Sequence, residues 1–259
     1  MTEGSSSEGR GLVRIYLAAV TAIMQRIEAE ETPAIEAAAA VLADQVGADR
    51  LVHIYGPGGH SNLASQEVFF RAGGLMHVSA ILDEGTLLSN GALRSMAVER
   101  TPGIGRIVIR DRGLGPDDVL ILVNAYGINA ALIDAALEAR ERGVKVIGVS
   151  SRAHAEGTPQ EHPARHPSKQ NLLDIVDLAV DTKVPVGDAV VRVPGMSQDI
   201  AAISTFANAF ALNALVIHTV SLLVERGIEP PVWRSGNAAG GDAANARFIE
   251  KFRGRVRWL

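Results

Sequence analysis

The chain has 259 residues, 47% of them hydrophobic, no cysteine and a formal net charge of −4. That content is enough for one large core, while zero Cys excludes disulfides, thiolate nucleophiles and Cys-ligated zinc. Scattered Lys and Arg in a slightly acidic chain exclude a nucleic-acid footprint. No apolar run is read as long enough to span a bilayer, and Met1 to Arg10 lacks the apolar core of a signal peptide. The expectation is one cytoplasmic domain with neither a membrane nor a nucleic-acid partner.

Residues 1–10 are polar and rich in Ser and Gly, and are expected to be a disordered tail. A single domain then covers 11–259, made of N-terminal helices over 11–50, a sheet core over 51–227 and a C-terminal loop and helix over 228–259. From Leu12 to about Val46 the apolar spacing is helical twice, with Thr32-Pro33 reading as an N-cap and first helical position that separates two helices. From Leu51 to Gly73 the chain reads as strand, glycine turn and helix. Leu51, Val52, Ile54 and Tyr55 form a buried strand and Gly56, Pro57, Gly58 and Gly59 end it. Ser61 serves as N-cap of a helix running through Leu63, Val68, Phe69 and Ala72. A helix N-terminus facing a glycine loop presents unpaired N–H groups and the positive end of the dipole, which suits an anion.

Leu75 to Leu82 is a second strand, and helical pieces follow around Ala92 to Glu99 and Gly105 to Arg110. Asp117 to Val123 is a fully apolar strand of the parallel, two-sided kind, leading through Asn124 to Asn129 into a helix from Ala130 to Arg142. Val144 to Val149 is another such strand, ending at Ser150-Ser151. Arg152 to Gln170 reads as a surface loop, Ile175 to Val180 as a last core strand, and Val184 to Gly195 as extended chain. The longest helix is expected over Ser197 to Arg226, apolar on most sides, and a short one from Asp242 as N-cap to about Phe252, after a loop over Ser235 to Gly241. Strands alternating with helices give an open parallel sheet whose ligands sit beyond the carboxyl ends of the strands.

The segments Gly56-Pro57-Gly58-Gly59-His60-Ser61, Asp117 to Ser151 and the C-terminal EPPVWRSGNAAGGDAANARF resemble the SIS (sugar isomerase) domain family, and within it stand-alone proteins akin to phosphoheptose isomerase. The resemblance implies an α/β fold, a three-layer α/β/α sandwich with a five-stranded parallel sheet and an N-terminal helical extension. It also implies a sugar phosphate bound at the strand ends. Family phosphate loops read Ser-x-Ser-Gly-x-Thr, whereas this chain has Asn124, Tyr126, Gly127 and Asn129, which leaves open a sulfonate or carboxylate in place of the phosphate, or a phosphate bound more weakly. The expected anion-binding set is Gly58, Gly59, His60, Ser61, Asn124, Tyr126, Gly127, Asn129, Ser150 and Ser151.

Aldose–ketose isomerisation needs a base to move a proton between adjacent carbons and a second group to open the ring or polarise the carbonyl. The resemblance implies Glu67, in the first helix, and His218, in the long one, as catalytic. His60 in the glycine loop is a third candidate. Read as plain structure, Glu67 is a solvated helix carboxylate and His218 a core histidine. The family's first helix histidine is replaced by Asn213. A dinucleotide fingerprint fails at its third glycine, where Ser61 stands. No cofactor is expected, and no metal, because His154, His162 and His166 lack a regular ligand spacing. The expected activity is interconversion of aldose and ketose forms of an anionic sugar. The alternatives are a non-catalytic sugar-phosphate sensor and an etherase. The Ala-lined faces of 12–46 and the apolar helix of 197–226 exceed what one sheet can cover, so a homodimer or homotetramer is expected.

Overall fold

The computed structural model describes residues 3–259, and the first two positions of the expected tail lie outside them. From Glu3 the backbone is helical, and α1 runs without interruption over Glu3–Gly47. The expected break at Thr32-Pro33 is therefore corrected. Pro33 removes one helical hydrogen bond and crowds the preceding turn, worth about 3 kcal/mol. The Thr32 hydroxyl donates to the Glu28 carbonyl one turn back. Val20, Ile23 and Ile27 before the proline and Ile35, Ala38 and Leu42 after it lie on one buried stripe. Each fully buried Ile or Leu contributes about 1.5–3 kcal/mol, so packing outweighs the local signal.

Five strands form the central parallel sheet: β1 (Val52–Tyr55), β2 (Val78–Ile81), β3 (Val119–Val123), β4 (Lys145–Ser150) and β5 (Leu178–Asp181), in the order β2-β1-β3-β4-β5. In register, Ile54 pairs with Ala80 on one side and Ile121 on the other. Because both faces are covered, the strands are apolar throughout rather than alternating. Val52, Ile54, Ile121, Val123, Ile147 and Val149 pack toward α1 and α8 (Ser204–Glu225). Leu120, Leu122, Tyr55 and Val146 pack toward α4 (Ile104–Arg112) and α5 (Ala130–Glu141). The three-layer sandwich and its N-terminal helix agree with the expected fold.

Several boundaries moved. The helix α2 after β1 covers Gly59–Glu67, not reaching Ala72, and its cap is Gly58 rather than Ser61. Phe70, at φ 49, turns the chain away. The expected loop over 152–170 contains α6 (Arg152–Gly157) and buries His154, Arg165 and His166. The expected strand from Ile175 begins as α7 (Leu172–Ile175). The extended stretch after Val184 pairs as a small antiparallel hairpin, β6 (Ala189–Val191) with β7 (Ile200–Ala202), which delays α8 to Ser204. The longest helix is α1, with 45 residues against 22 for α8. By length and composition α8 could cross a membrane, contrary to the sequence reading. Here its Leu212, Leu215 and Leu223 belong to the core.

The last helix, α9 (Gly241–Phe252), is capped by Gly240 at φ 74, and Asp242 lies in its first turn instead of capping it. Asp49 fastens this end: its carboxylate meets His77 at 2.8 Å, Lys251 at 2.7 Å and Arg255 at 3.4 Å. Desolvation opposes its ionisation, but these hydrogen bonds and charges prevail and hold the carboxyl at about 2. The chain thus returns to the start of the sheet, leaving the carboxyl ends of the strands open.

Candidate functional site

From β1 the chain leaves to β2 on one side, while β3 lies on the other, so the loops leaving β1 and β3 diverge at their carboxyl ends. There a cavity of about 160 Å³ opens, lined by the glycine loop, by Ser95 and Glu99 of α3 (Ala92–Glu99), by Asn124 and Tyr126, and by Asp188 and Ser204. Gly58 holds φ 99 and ψ 152, a conformation available to glycine, and delivers the chain into α2. Asn62 donates its backbone N–H to the Gly58 carbonyl, so the amides of Gly59, His60 and Ser61 have no acceptor inside the helix. These amides are the donors the site offers to an anion.

Asn124 ties the two loops together. Its amide nitrogen donates to the Pro57 carbonyl at 3.1 Å and to the Ser61 hydroxyl at 3.0 Å, and its carbonyl accepts from the N–H groups of Tyr126 and Gly127. Its hydrogen-bonding capacity is consumed, which corrects the expectation that it donates to the anion. The Tyr126 and Gly127 amides are equally engaged. Gly127, at φ 70, lies so close under Ser150 that a Cβ would stand 2.7 Å from its hydroxyl oxygen. Ser150 and Ser151 are fully buried outside the cavity, Ser151 accepting from the His154 N–H as cap of α6. The free N–H donors lining the cavity are thereby concentrated on the first turn of α2, next to the Ser61 hydroxyl.

Glu99, the last residue of α3 and no part of the expected site, lines the cavity with a perturbed carboxyl. Its Oε1 accepts from Asn129 Nδ2 at 3.1 Å. Its Oε2 lies against Gly58, where a Cβ would collide with it. Burial pushes its carboxyl up to about 7, against the weaker opposing charge of Arg100. Opposite it, Asp188 accepts from the N–H groups of Ile203 and Ser204 at 2.9 and 2.8 Å and from the Ser204 hydroxyl at 2.7 Å, capping α8. Burial, with the charges of Asp188 and Glu99, raises the Tyr126 phenol. One carboxyl poised at neutral pH therefore sits beside a set of anion donors.

Of the expected catalytic residues, His60 lines this cavity and is exposed. Glu67 does not line it; it closes α2 and pairs with Arg71 at 3.3 Å. His218 is fourteen residues beyond Ser204 on α8, about 21 Å along the axis at 1.5 Å per residue. The structure thus gathers Gly58, Gly59, His60, Ser61, Asn124 and Tyr126 into one place, and sets Glu67 and His218 apart from it. His154 stacks on Tyr126 and His166 bonds Asp134 at 3.2 Å. Among the described residues no group of three His, Asp or Glu is arranged to hold a metal ion.

The raised carboxyl has a consequence for stability. Its value is higher folded than unfolded, so between about 4.5 and 7 the native state binds the extra proton and stability declines as pH rises through that window. Above 7 the penalty is complete. Glu99→Gln is therefore expected to raise the melting temperature at pH 8, by about 1–3 kcal/mol of stability after allowing for partial exposure, and to leave it unchanged near pH 4. Thermal melts of both proteins across pH 4–9 check this.

The sequence profile described as the SIS domain matches residues 15–151. A UPF0309 protein of Geobacillus kaustophilus is 32% identical over 95% of this chain and 96% of its own length. A UPF0309 protein of Streptomyces griseus is 35% identical over 93% and 95% respectively. Among solved structures, a phosphoheptose isomerase from Neisseria gonorrhoeae superposes with a TM-score of 0.54 at 18% identity, covering 82% of this chain and all but 2% of that one. At that identity the likeness is one of fold.

Proposed function

Since the chain belongs to the SIS-domain family, we propose that its strand-end cavity binds a phosphorylated or otherwise anionic sugar and interconverts its aldose and ketose forms. The observation that carries this is the Glu99 carboxyl, half-buried against the glycine loop and pushed up to about 7. The amides of Gly59, His60 and Ser61 hold the anion, with the positive end of the α2 dipole behind them. Glu99, as carboxylate, takes the proton from the carbon next to the carbonyl. The C–H electron pair becomes the enediol double bond, and the carbonyl oxygen gains a proton from His60 or Tyr126. Glu99 then returns its proton to the former carbonyl carbon, while the hydroxyl on the carbon that was deprotonated gives its O–H proton to the donor and becomes the new carbonyl. A group near neutrality serves both as base and as acid, because neither protonation state is scarce.

The test is a thermal-shift panel of sugar phosphates and sugar sulfonates, followed by proton NMR of the aldose and ketose signals for each compound that raises the melting temperature. Interconversion supports the reading. Binding without conversion points to a sensor, and loss of a substituent beside the carbonyl to an etherase. A protein that binds none of the panel contradicts the anionic-sugar assignment.

The assembly proposed with this function is a homodimer or homotetramer. Val13, Ile15 and Leu17 on α1 and Phe206, Ile217 and Val224 on α8 are exposed. Large apolar side chains gathered on two helices favour cover by another subunit. Light scattering at micromolar concentration is expected to give a mass of two or four chains, and a monomer mass would reject it.

A further inference from the structure

Asn129 precedes α5 at the position where a side chain ordinarily caps a helix, with the extended backbone of such a residue, φ −70 and ψ 150. Its carbonyl accepts the Ile133 N–H at 3.1 Å, yet its side chain caps nothing. The amide instead donates through Nδ2 to Glu99 Oε1 at 3.1 Å, which takes it away from the expected anion contact. Its Oδ1 is left buried without a partner. The flanking backbone is fixed from outside, because His166 N–H donates to the Ile128 carbonyl and Leu172 N–H to the Gly127 carbonyl, each at 2.8 Å. The amide therefore has little freedom to leave. A forgone cap and an orphaned buried oxygen are both costs, and a residue that breaks two local rules to reach a carboxyl in a cavity is marked for function. The other oxygen of that carboxyl, Glu99 Oε2, lies against Gly58 and has no hydrogen-bond partner among the described residues.

We infer that Asn129 is the positioning residue of the proton transfer: its N–H reserves Glu99 Oε1 and leaves Oε2, on the glycine-loop side, as the atom that takes and returns the proton. The inference rests on the aldose–ketose reading and assigns the atom within it. In a carboxylic acid the carbonyl oxygen is the better acceptor, so an N–H held on Oε1 keeps the acid proton on Oε2. In the carboxylate the same N–H stabilises the charge. Losing this donor must therefore raise the proton affinity of Glu99. The other charged or titratable groups around the carboxyl are Arg100 beside it, His60 on α2, Tyr126 after β3, His154 and His162 after β4, and Asp188 ahead of α8. None of them changes in the variants below.

Asn129→Ser separates this role from a structural one, because serine caps a helix as well as asparagine does but ends one bond short of the amide that holds Glu99. The readout is carbon-13 NMR of the full chain with carboxyl-labelled glutamate, titrated over pH 4–10, Glu99 being the signal missing in Glu99→Gln. In Asn129→Ser the Glu99 midpoint is expected to rise by at least about one pH unit, a tenfold gain in proton affinity. The melting temperature at pH 4, where Glu99 is protonated in both proteins, should match or exceed that of the wild type. Infrared difference spectra at pH 4 locate the proton. The Glu99 acid C=O band is expected at higher wavenumber in Asn129→Ser, as for a carbonyl that has lost its donor. An unchanged midpoint or an unmoved band overturns the inference. If Asn129→Ser does not fold, Asn129→Asp, isosteric and also a capping residue, replaces the donor by a carboxylate. Its Glu99 midpoint must rise too, and an unchanged one is equally fatal. Neither readout needs a sugar, so failure here leaves the anionic-sugar reading intact, and a protein that binds no sugar overturns that reading without altering these results.

Discussion

Glu99→Gln is expected to slow aldose–ketose interconversion by about 10²- to 10⁴-fold, the usual consequence of losing a general base. The substitution is nearly isosteric. A glutamine carbonyl can still accept from Asn129 Nδ2, so the side chain stays beside Gly58. The N–H donors proposed for the anion lie on a different element, the first turn of α2. Sugar affinity should therefore remain within a few-fold of wild type while kcat falls, which is the pattern of a group that acts in the transition state. A rate close to wild type would remove Glu99 from the chemistry. The higher melting temperature expected of the same variant above pH 7 gives an internal check that a slow enzyme is not an unfolded one.

Gly58→Ala should abolish both sugar binding and turnover. At φ 99 and ψ 152, any Cβ strains the backbone by about 1–3 kcal/mol. The added methyl would also meet Glu99 Oε2. The carboxyl must then leave its position or the glycine loop must open, and either movement separates the anion donors from the proton-transfer group. Gly103→Ala separates strain from collision. Gly103 has φ 93, but a Cβ there meets nothing within 4 Å. It should lower the melting temperature to a similar degree while activity persists. Melting curves and thermal shifts with a bound sugar phosphate, run on both variants, distinguish the two effects. Activity retained in Gly58→Ala would contradict the close approach of Glu99 to the loop.

The sheet was legible because buried parallel strands such as Val119–Val123 leave uninterrupted apolar runs, and the loop after β1 because glycines punctuate it. Helices α3 and α5 were also recovered nearly to their ends. The local signal for a break at Thr32-Pro33 does not prevail in α1, because a buried apolar stripe crosses the proline. Glu67 and His218 were chosen by family likeness, and within this chain neither lines the cavity. Glu99 and Asp188 were missed for one shared reason. Their positions come from elements far apart in sequence meeting beyond the carboxyl ends of the strands, as when Asp188 caps a helix that begins at Ser204. One clue to Glu99 was present. It closes α3, where the dipole disfavours a carboxylate, and a broken local rule is often the mark of a functional position.

The proposed proton transfer by Glu99, beside the glycine loop, is open to direct test. Its most direct measurement is deuterium incorporation at the carbon next to the sugar carbonyl, followed by NMR in heavy water for wild type, Glu99→Gln and Glu67→Gln with the same bound sugar. Exchange is expected in the wild type and equally in Glu67→Gln, with its loss in Glu99→Gln. Exchange at the wild-type rate in Glu99→Gln, or its loss in Glu67→Gln, would contradict it.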